Sequence, residues 1–211
     1  MGIMECYFFG TFNPIHLGHV EIARKVKELA GFSRVIFVPS YMPPHKIEGL
    51  ESYIHRLEMT KLAVGEDNVS DIERHLQVPS YTYRTIEKLY KKNNDQKVNF
   101  IIGYDQFFKL ESWREPEILR EKINFIVIPR KFQNGQVMGS QAFKYFQNKG
   151  YSFEVLRAKV LYGTNATKRP KFKRDMDFKR FDKLGLDNLY YEGFEVDLNE
   201  LKTHLECNDN Q

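Results

Sequence analysis

The sequence predicts a doubly wound α/β fold, a parallel sheet covered by helices on both faces, and three observations carry that prediction. Short runs of consecutive apolar residues recur along residues 1–130, the signature of strands buried on both sides. Between them lie longer segments with apolar residues at helical spacing. Glycine or proline stands at the end of most runs, where the chain must turn.

Cys6, Tyr7, Phe8 and Phe9 form the first run, stopped by Gly10, and read as a buried strand entering a tight turn. Ile22, Val26, Leu29 and Ala30 then recur at helical spacing until Gly31, which takes the C-cap position. Residues 34–38 are a second strand, ended by Pro39. Strand, helix and strand in this order make a βαβ unit with a right-handed crossover.

The pattern goes on to predict a helix over 52–64, a short strand over 69–72, a helix over 83–92, and strands over 98–102 and 125–128, the last ending at Pro129. From Lys131 the alternation weakens. A helix near 140–148, a strand near 153–160 and a final helix near 199–205 are expected there. The chain is thus read as a core of residues 1–130 with a divergent C-terminal region, 131–211, packed on it.

Hydrophobic residues make up 42% of the chain and charged residues 28%, a balance that fits a packed core and excludes a disordered or fibrous chain. The two cysteines, Cys6 and Cys207, share no metal-ligand or disulfide-framework spacing, which favours a reducing compartment. No apolar run approaches the roughly 20 residues that span a bilayer, and the N-terminus lacks the pattern of a secretory signal, so a cytoplasmic protein is expected.

The net charge of +4 sits mainly in the C-terminal region, where residues 131–211 carry 14 Lys and Arg against 11 Asp and Glu. Within 157–174 seven basic residues stand with no acidic one. The cluster reads either as a solvated basic face or as a surface for phosphates or nucleic acid, and clustering alone favours the solvated face. Self-association is left open by the sequence.

In doubly wound sheets ligands bind beyond the carboxyl ends of the strands. That rule singles out 10–18, 40–49, 103–113 and Arg130 as segments that should converge. Gly10 lets the backbone turn and approach a ligand closely, and the amides after it can point at phosphate oxygens near a helix start. Pro14 fixes the turn. His16 and His19, three residues apart, fall on one helix face and can offer two imidazoles to one phosphate. Zinc ligation by this pair lacks a third ligand at suitable spacing, so no metal site is expected; an ordinary turn with a capping histidine is the simpler alternative.

Taken in order, several segments resemble bacterial nicotinate-nucleotide adenylyltransferases, members of the nucleotidyltransferase superfamily. They are Gly10-Thr11-Phe12-Asn13-Pro14-Ile15-His16-Leu17-Gly18-His19, Pro43-Pro44-His45-Lys46, His55-Arg56-Leu57-Glu58-Met59, Ser80-Tyr81-Thr82-Tyr83-Arg84-Thr85, Gly103-Tyr104-Asp105 with Leu110 and Trp113, and Arg130 at a strand end. The resemblance covers 4–130. It implies a Rossmann-like nucleotidyltransferase fold and transfer of the AMP portion of ATP to nicotinate mononucleotide, giving the deamido dinucleotide precursor of NAD and pyrophosphate. ATP is the implied co-substrate, accompanied by Mg2+.

On the same resemblance His16 and His19 are the catalytic residues. Gly10, Thr11, Phe12, Gly18, Gly103, Asp105 and Arg130 are implied contacts to ATP. Asn13, Lys46, Tyr81, Thr82, Thr85 and Trp113 are implied contacts to the mononucleotide. Read from the residues alone, Thr82 serves equally as a helix N-cap and Trp113 as a core side chain.

The chain departs from the family pattern at three places. The Ser-Ser/Thr-Thr-x-Ile-Arg element that holds ATP phosphates near the C-terminus of the family has no recognisable counterpart. Gly163-Thr164-Asn165-Ala166-Thr167-Lys168-Arg169 has the nearest composition and offers Thr167 and Arg169 as substitutes. Phe9 stands where many members have glycine, and Asn13 where Asp is commoner. Two other functions stay open: another adenylyltransferase or a cytidylyltransferase, such as pantetheine-phosphate adenylyltransferase, and a nucleotide- or RNA-binding regulatory protein that retains the fold. Nothing in the residues separates the acid from the amide mononucleotide as substrate.

Overall fold

The computed structural model describes residues 4–45, 47–128, 140–156, 189–191 and 194–196. In chain order the elements are β1 (Glu5–Gly10), α1 (Leu17–Ala30), β2 (Arg34–Pro39), α2 (Tyr53–Val64), α3 (Thr82–Lys92), β3 (Val98–Gly103), α4 (Tyr104–Phe107), α5 (Pro116–Lys122), β4 (Ile123–Ile128), α6 (Ser140–Asn148) and β5 (Ser152–Val155). These strands form one sheet in the order β2-β1-β3-β4-β5, every neighbouring pair parallel. A separate antiparallel pair joins β6 (Leu189–Tyr191) and β7 (Phe194–Val196). The doubly wound fold expected from the apolar runs is the fold observed.

Both faces of the sheet are covered by helices. On one, Cys6, Phe8, Val35, Phe37, Ile101 and Ile126 meet Val20, Ala23 and Val26 of α1 and Met59, Ala63 and Val64 of α2. On the other, Phe100, Ile102, Phe125 and Val127 meet Ile86 and Leu89 of α3, Leu119 of α5 and Phe146 of α6. Successive residues of β3 and β4 point to opposite faces, and both faces are dry. That is why the strand runs show no polar alternation.

Local chemistry fixes the helix ends. Gly31 closes α1 with φ 72°, the left-handed conformation that its missing Cβ permits, and its N–H donates to the Lys27 carbonyl. Ser52 caps α2, its hydroxyl accepting from the His55 N–H at 3.3 Å. Thr82 does not cap α3: it is the first helical residue, and Tyr81 takes the cap position.

Two expectations are corrected. Leu29 is 52% exposed rather than core-facing. At about 100° per residue it has turned half a revolution away from Val20, on the face that α1 buries. The strand expected over 69–72 shrinks to one parallel bridge between Phe37 and Val69, flanked by tight 3-10 turns at Glu66–Asn68 and Ile72–His75. The sheet continues past residue 130. There β5 pairs with β4, and Phe146, Tyr151 and Phe153 gather around Phe107. The helix expected near 140–148 is α6, and the strand expected near 153–160 starts as β5, so one more α/β repeat joins the sheet. The basic stretch 157–174 and the helix expected over 199–205 lie outside the described residues.

Candidate active site

The order β2-β1-β3 places the topological switch between β1 and β3, which pair through Phe8 and Ile101. The chain leaves β1 toward the α1 face and leaves β3 toward the other face, so a crevice opens at the carboxyl ends of these two strands. Gly10 ends one strand and Gly103 the other.

At Gly10 the chain turns back on itself. Phe12 has φ 44° and folds its ring into the core, 2% exposed, edge-on to Phe8 at 5.8 Å and to the His19 ring at 5.1 Å. A Cβ at position 10 would stand 2.8 Å from that ring, so only glycine lets Phe12 close over the strand end. The Phe12 side chain is therefore core, not an ATP contact; its burial offsets the roughly 1–2 kcal/mol cost of a left-handed residue. Phe9, at the position often glycine in the family, stacks on Phe100 at 4.6 Å.

His16 immediately precedes α1 and His19 lies in its first turn. The His16 backbone N–H donates to Nδ1 of His19 at 3.3 Å, and the two imidazole rings stack with centroids 3.7 Å apart. Because Nδ1 of His19 accepts, this hydrogen-bond network assigns the proton of the neutral ring to Nε2, which remains a donor. A Cβ at position 18 would meet the His16 ring at 3.1 Å, so Gly18 makes room for the stack. The first turn of α1 carries no acidic residue, leaving the positive end of its dipole uncancelled by side chains.

The loop after β2 is tied down from below. Arg56 of α2 is 1% exposed, and its guanidinium donates to the carbonyls of Thr11 at 2.6 Å, Glu51 at 3.0 Å and Tyr41 at 3.3 Å. Burial pushes its pKa down. Asn13 spans the same two loops: its Nδ2 donates to the Gly49 carbonyl and its Oδ1 accepts from the Glu51 N–H, each at 3.0 Å. Both poles of its amide are engaged by backbone. Glu73, 3% exposed, accepts from the Tyr41 N–H at 3.1 Å and from the Thr85 hydroxyl at 3.2 Å. Burial raises its carboxyl to about 7, against the pull of these donors and of Arg56.

Thr85 is thereby placed behind the site surface, 1% exposed and bonded to Glu73, where its side chain supports rather than lines the crevice. Tyr81 is half-buried, with the guanidinium carbons of Arg84 and Arg114 over its ring at 5.3 and 5.6 Å. Trp113 is also half-buried and packs against the second core cluster. Asp105 stands in α4, directly after Gly103, within bonding distance of the Gln106 amide at 3.3 Å. Lys46, Arg130, Thr167 and Arg169 lie outside the described residues.

Sequence reasoning assigned no role to Arg56 or Glu73. Arg56 carried a signal: with Tyr53, Leu57, Thr60 and Ala63 it shares the buried face of α2 at helical spacing, an unusual seat for an arginine. Glu73 carried none, because its partners at 41 and 85 are brought to it by the fold.

The cytidylyltransferase-like family model matches residues 7–168. Among curated relatives, the probable nicotinate-nucleotide adenylyltransferase of Carboxydothermus hydrogenoformans is 38% identical over 145 residues, covering 67% of this chain and 72% of its own length. That of Lachnoclostridium phytofermentans is 32% identical over 176 residues, 82% of this chain and 88% of its own length. Among solved structures, the Plasmodium falciparum nicotinic acid mononucleotide adenylyltransferase complexed with NaAD superposes with a TM-score of 0.63 over 86% of this chain and 90% of that one. At 19% identity it attests the fold.

Proposed function

The chain belongs to the cytidylyltransferase-like family and, within it, to the nicotinate-nucleotide adenylyltransferases, and from that premise we propose that it forms a dinucleotide from ATP and nicotinate mononucleotide. A phosphate oxygen of the mononucleotide attacks the α-phosphorus of ATP. The bond from that phosphorus to the bridging oxygen breaks, and pyrophosphate leaves with the electron pair. The nucleophile is already anionic, so the protein has no proton to remove; it must align two phosphates and neutralise the charge that develops on the leaving oxygens.

The observation that carries the reading is the stacked His16 and His19 pair at the start of α1. Nε2 of His19 donates to the phosphate chain, held in aim by the hydrogen bond on Nδ1. His16 and the amides of the first turn of α1 supply further positive potential, with the Gly10 and Thr11 backbone and Gly18 close to ATP. Gly103 and Asp105, at the end of β3, take the ribose and adenine side. Arg130, Thr167 and Arg169 are the remaining proposed ATP contacts.

Tyr81, Thr82, Trp113, Asn13 and Lys46 form the mononucleotide side, with Thr85 acting through Glu73. Magnesium enters with ATP, held by phosphate oxygens and water. Such an ion needs no dedicated carboxylate cage from the protein. Among the described residues no helix is long and apolar enough to cross a membrane; the cytoplasm is our proposal for its compartment, on the cysteine usage of the sequence.

The test is pyrophosphate release from ATP and magnesium with nicotinate mononucleotide, nicotinamide mononucleotide or phosphopantetheine supplied singly. Release with the nicotinate form and little with the other two is expected. Folded protein that releases pyrophosphate with none of them overturns the reading.

A further inference from the structure

Backbone polar groups of the turn at 40–42 are anchored to four other segments of the chain. The Ser40 N–H donates to the Gly10 carbonyl at 2.9 Å. The Tyr41 N–H donates to Glu73 and the Tyr41 carbonyl accepts from Arg56, so one peptide unit after another is gripped by a buried acid and a buried base. Met42 and Ser80 close a two-way link: the Met42 N–H donates to the Ser80 hydroxyl at 2.9 Å, and the Ser80 N–H donates to the Met42 carbonyl at 2.7 Å. The Thr85 hydroxyl of α3 donates to the Glu73 carboxylate at 3.2 Å, and the Ser80 side chain lies close enough to pull the carboxyl's pKa down.

Glu73 thus joins the turn after β2 to α3 directly, and Ser80, bonded both ways to Met42, lies against the same carboxyl on the approach to α3. Arg56 and Tyr53 face it from α2, while Asp71 and Arg74 flank it on its own turn. A buried carboxylate costs stability through desolvation, and a hydrophobic side chain of similar volume in that seat would avoid the cost. What an apolar replacement cannot do is hold Tyr41, Ser80 and Thr85 in one register.

We propose that Glu73 is a positioning residue for the mononucleotide: it joins the 40–42 turn and the 80–85 segment into a single wall, so that Tyr81 and the residues after Met42 meet the substrate already in place. The proposal rests on the function given above, since that reading makes this wall the mononucleotide side. ATP is held by the loop after β1 and the start of α1, whereas the hydrogen bonds of Glu73 run to Tyr41 and Thr85, so the two substrates respond differently to its loss.

The experiment compares Glu73→Ala and Glu73→Gln with the wild-type chain in steady-state pyrophosphate release, each substrate varied in turn, alongside hydrogen–deuterium exchange over 40–42 without ligand. Glutamine keeps an acceptor for the Tyr41 N–H, and its amide can donate to the Thr85 or Ser80 hydroxyl once these turn to accept. Glu73→Ala should raise KM for nicotinate mononucleotide at least about tenfold with KM for ATP and kcat changed less than about threefold, and should speed exchange over 40–42 about tenfold. Glu73→Gln should restore both to within about threefold of wild type.

Unchanged exchange in Glu73→Ala overturns the clamp whatever the activity. Faster exchange with an unaltered mononucleotide KM, or with equal rises in both KM values, overturns the positioning role. Wild-type protein without any pyrophosphate release overturns the function, and with it the link from clamp to substrate, while the exchange data stand apart from that failure.

Discussion

The backbone N–H of His16 and Nδ1 of His19 lie 3.3 Å apart, and this one bond decides which nitrogen of His19 can act on a phosphate. It also explains why the pair tolerates contact at 3.7 Å between rings: the outer nitrogen of His19 is the donor and the inner one is occupied. His19→Ala should lower kcat by about 10²–10³-fold, the range seen when one donor to a developing charge is removed. Its unfolding midpoint should stay close to that of wild type, because the ring is only partly buried. Turnover near wild type would remove His19 from the mechanism.

A second prediction concerns Gly10. In Gly10→Ala the new methyl meets the Phe12 ring at 2.8 Å, and stability in urea should fall by about 1–3 kcal/mol at constant m. Shrinking the ring with Phe12→Leu in the same chain should recover part of that loss. Strictly additive losses in the double variant would show that the two positions do not touch in solution.

Glu73 makes stability depend on pH with a defined sign. Its carboxyl titrates at about 7 in the folded protein against an ordinary value of 4.5, so the native state keeps a proton that the unfolded chain has lost. The stabilising contribution is present below 4.5 and disappears as pH rises through about 7. Its size is on the order of 3 kcal/mol. Urea unfolding of Glu73→Gln should therefore gain on wild type between about pH 5 and about pH 8. Parallel pH profiles for the two proteins would show that the carboxyl titrates normally.

Arg56 should prove intolerant of both large and small changes. Arg56→Ala leaves the Thr11, Tyr41 and Glu51 carbonyls without their shared donor and should cost about 3–5 kcal/mol in chemical denaturation. Arg56→Lys should recover little of it, since a single ammonium cannot reach three carbonyls that a planar fork spans. Full recovery by lysine would mean that charge alone, not geometry, matters at this seat.

The strands were legible in the sequence because burial on both faces leaves an uninterrupted apolar run, and Phe100 beside Ile101 shows the rule at work. The paired histidines were legible because both lie within one turn of one helix. Phe12, an ATP contact implied by the resemblance, has a left-handed backbone that sends its ring inward, which no residue pattern announces. Leu29 misled through the phase of a helix whose buried face is narrow. Glu73 was invisible because all its partners are tertiary, whereas α6 and β5 answer to the helix expected near 140–148 and the strand expected near 153–160.

Asn13 grips the backbone at both 49 and 51 while Arg56 reaches from α2 to Thr11, Tyr41 and Glu51, so the loops that follow β1 and β2 form one rigid jaw. Parting these loops would break five hydrogen bonds together. The opposite lip, after β3, is built instead from a four-residue helix and a short 3-10 turn that carry Asp105 and lead to Trp113.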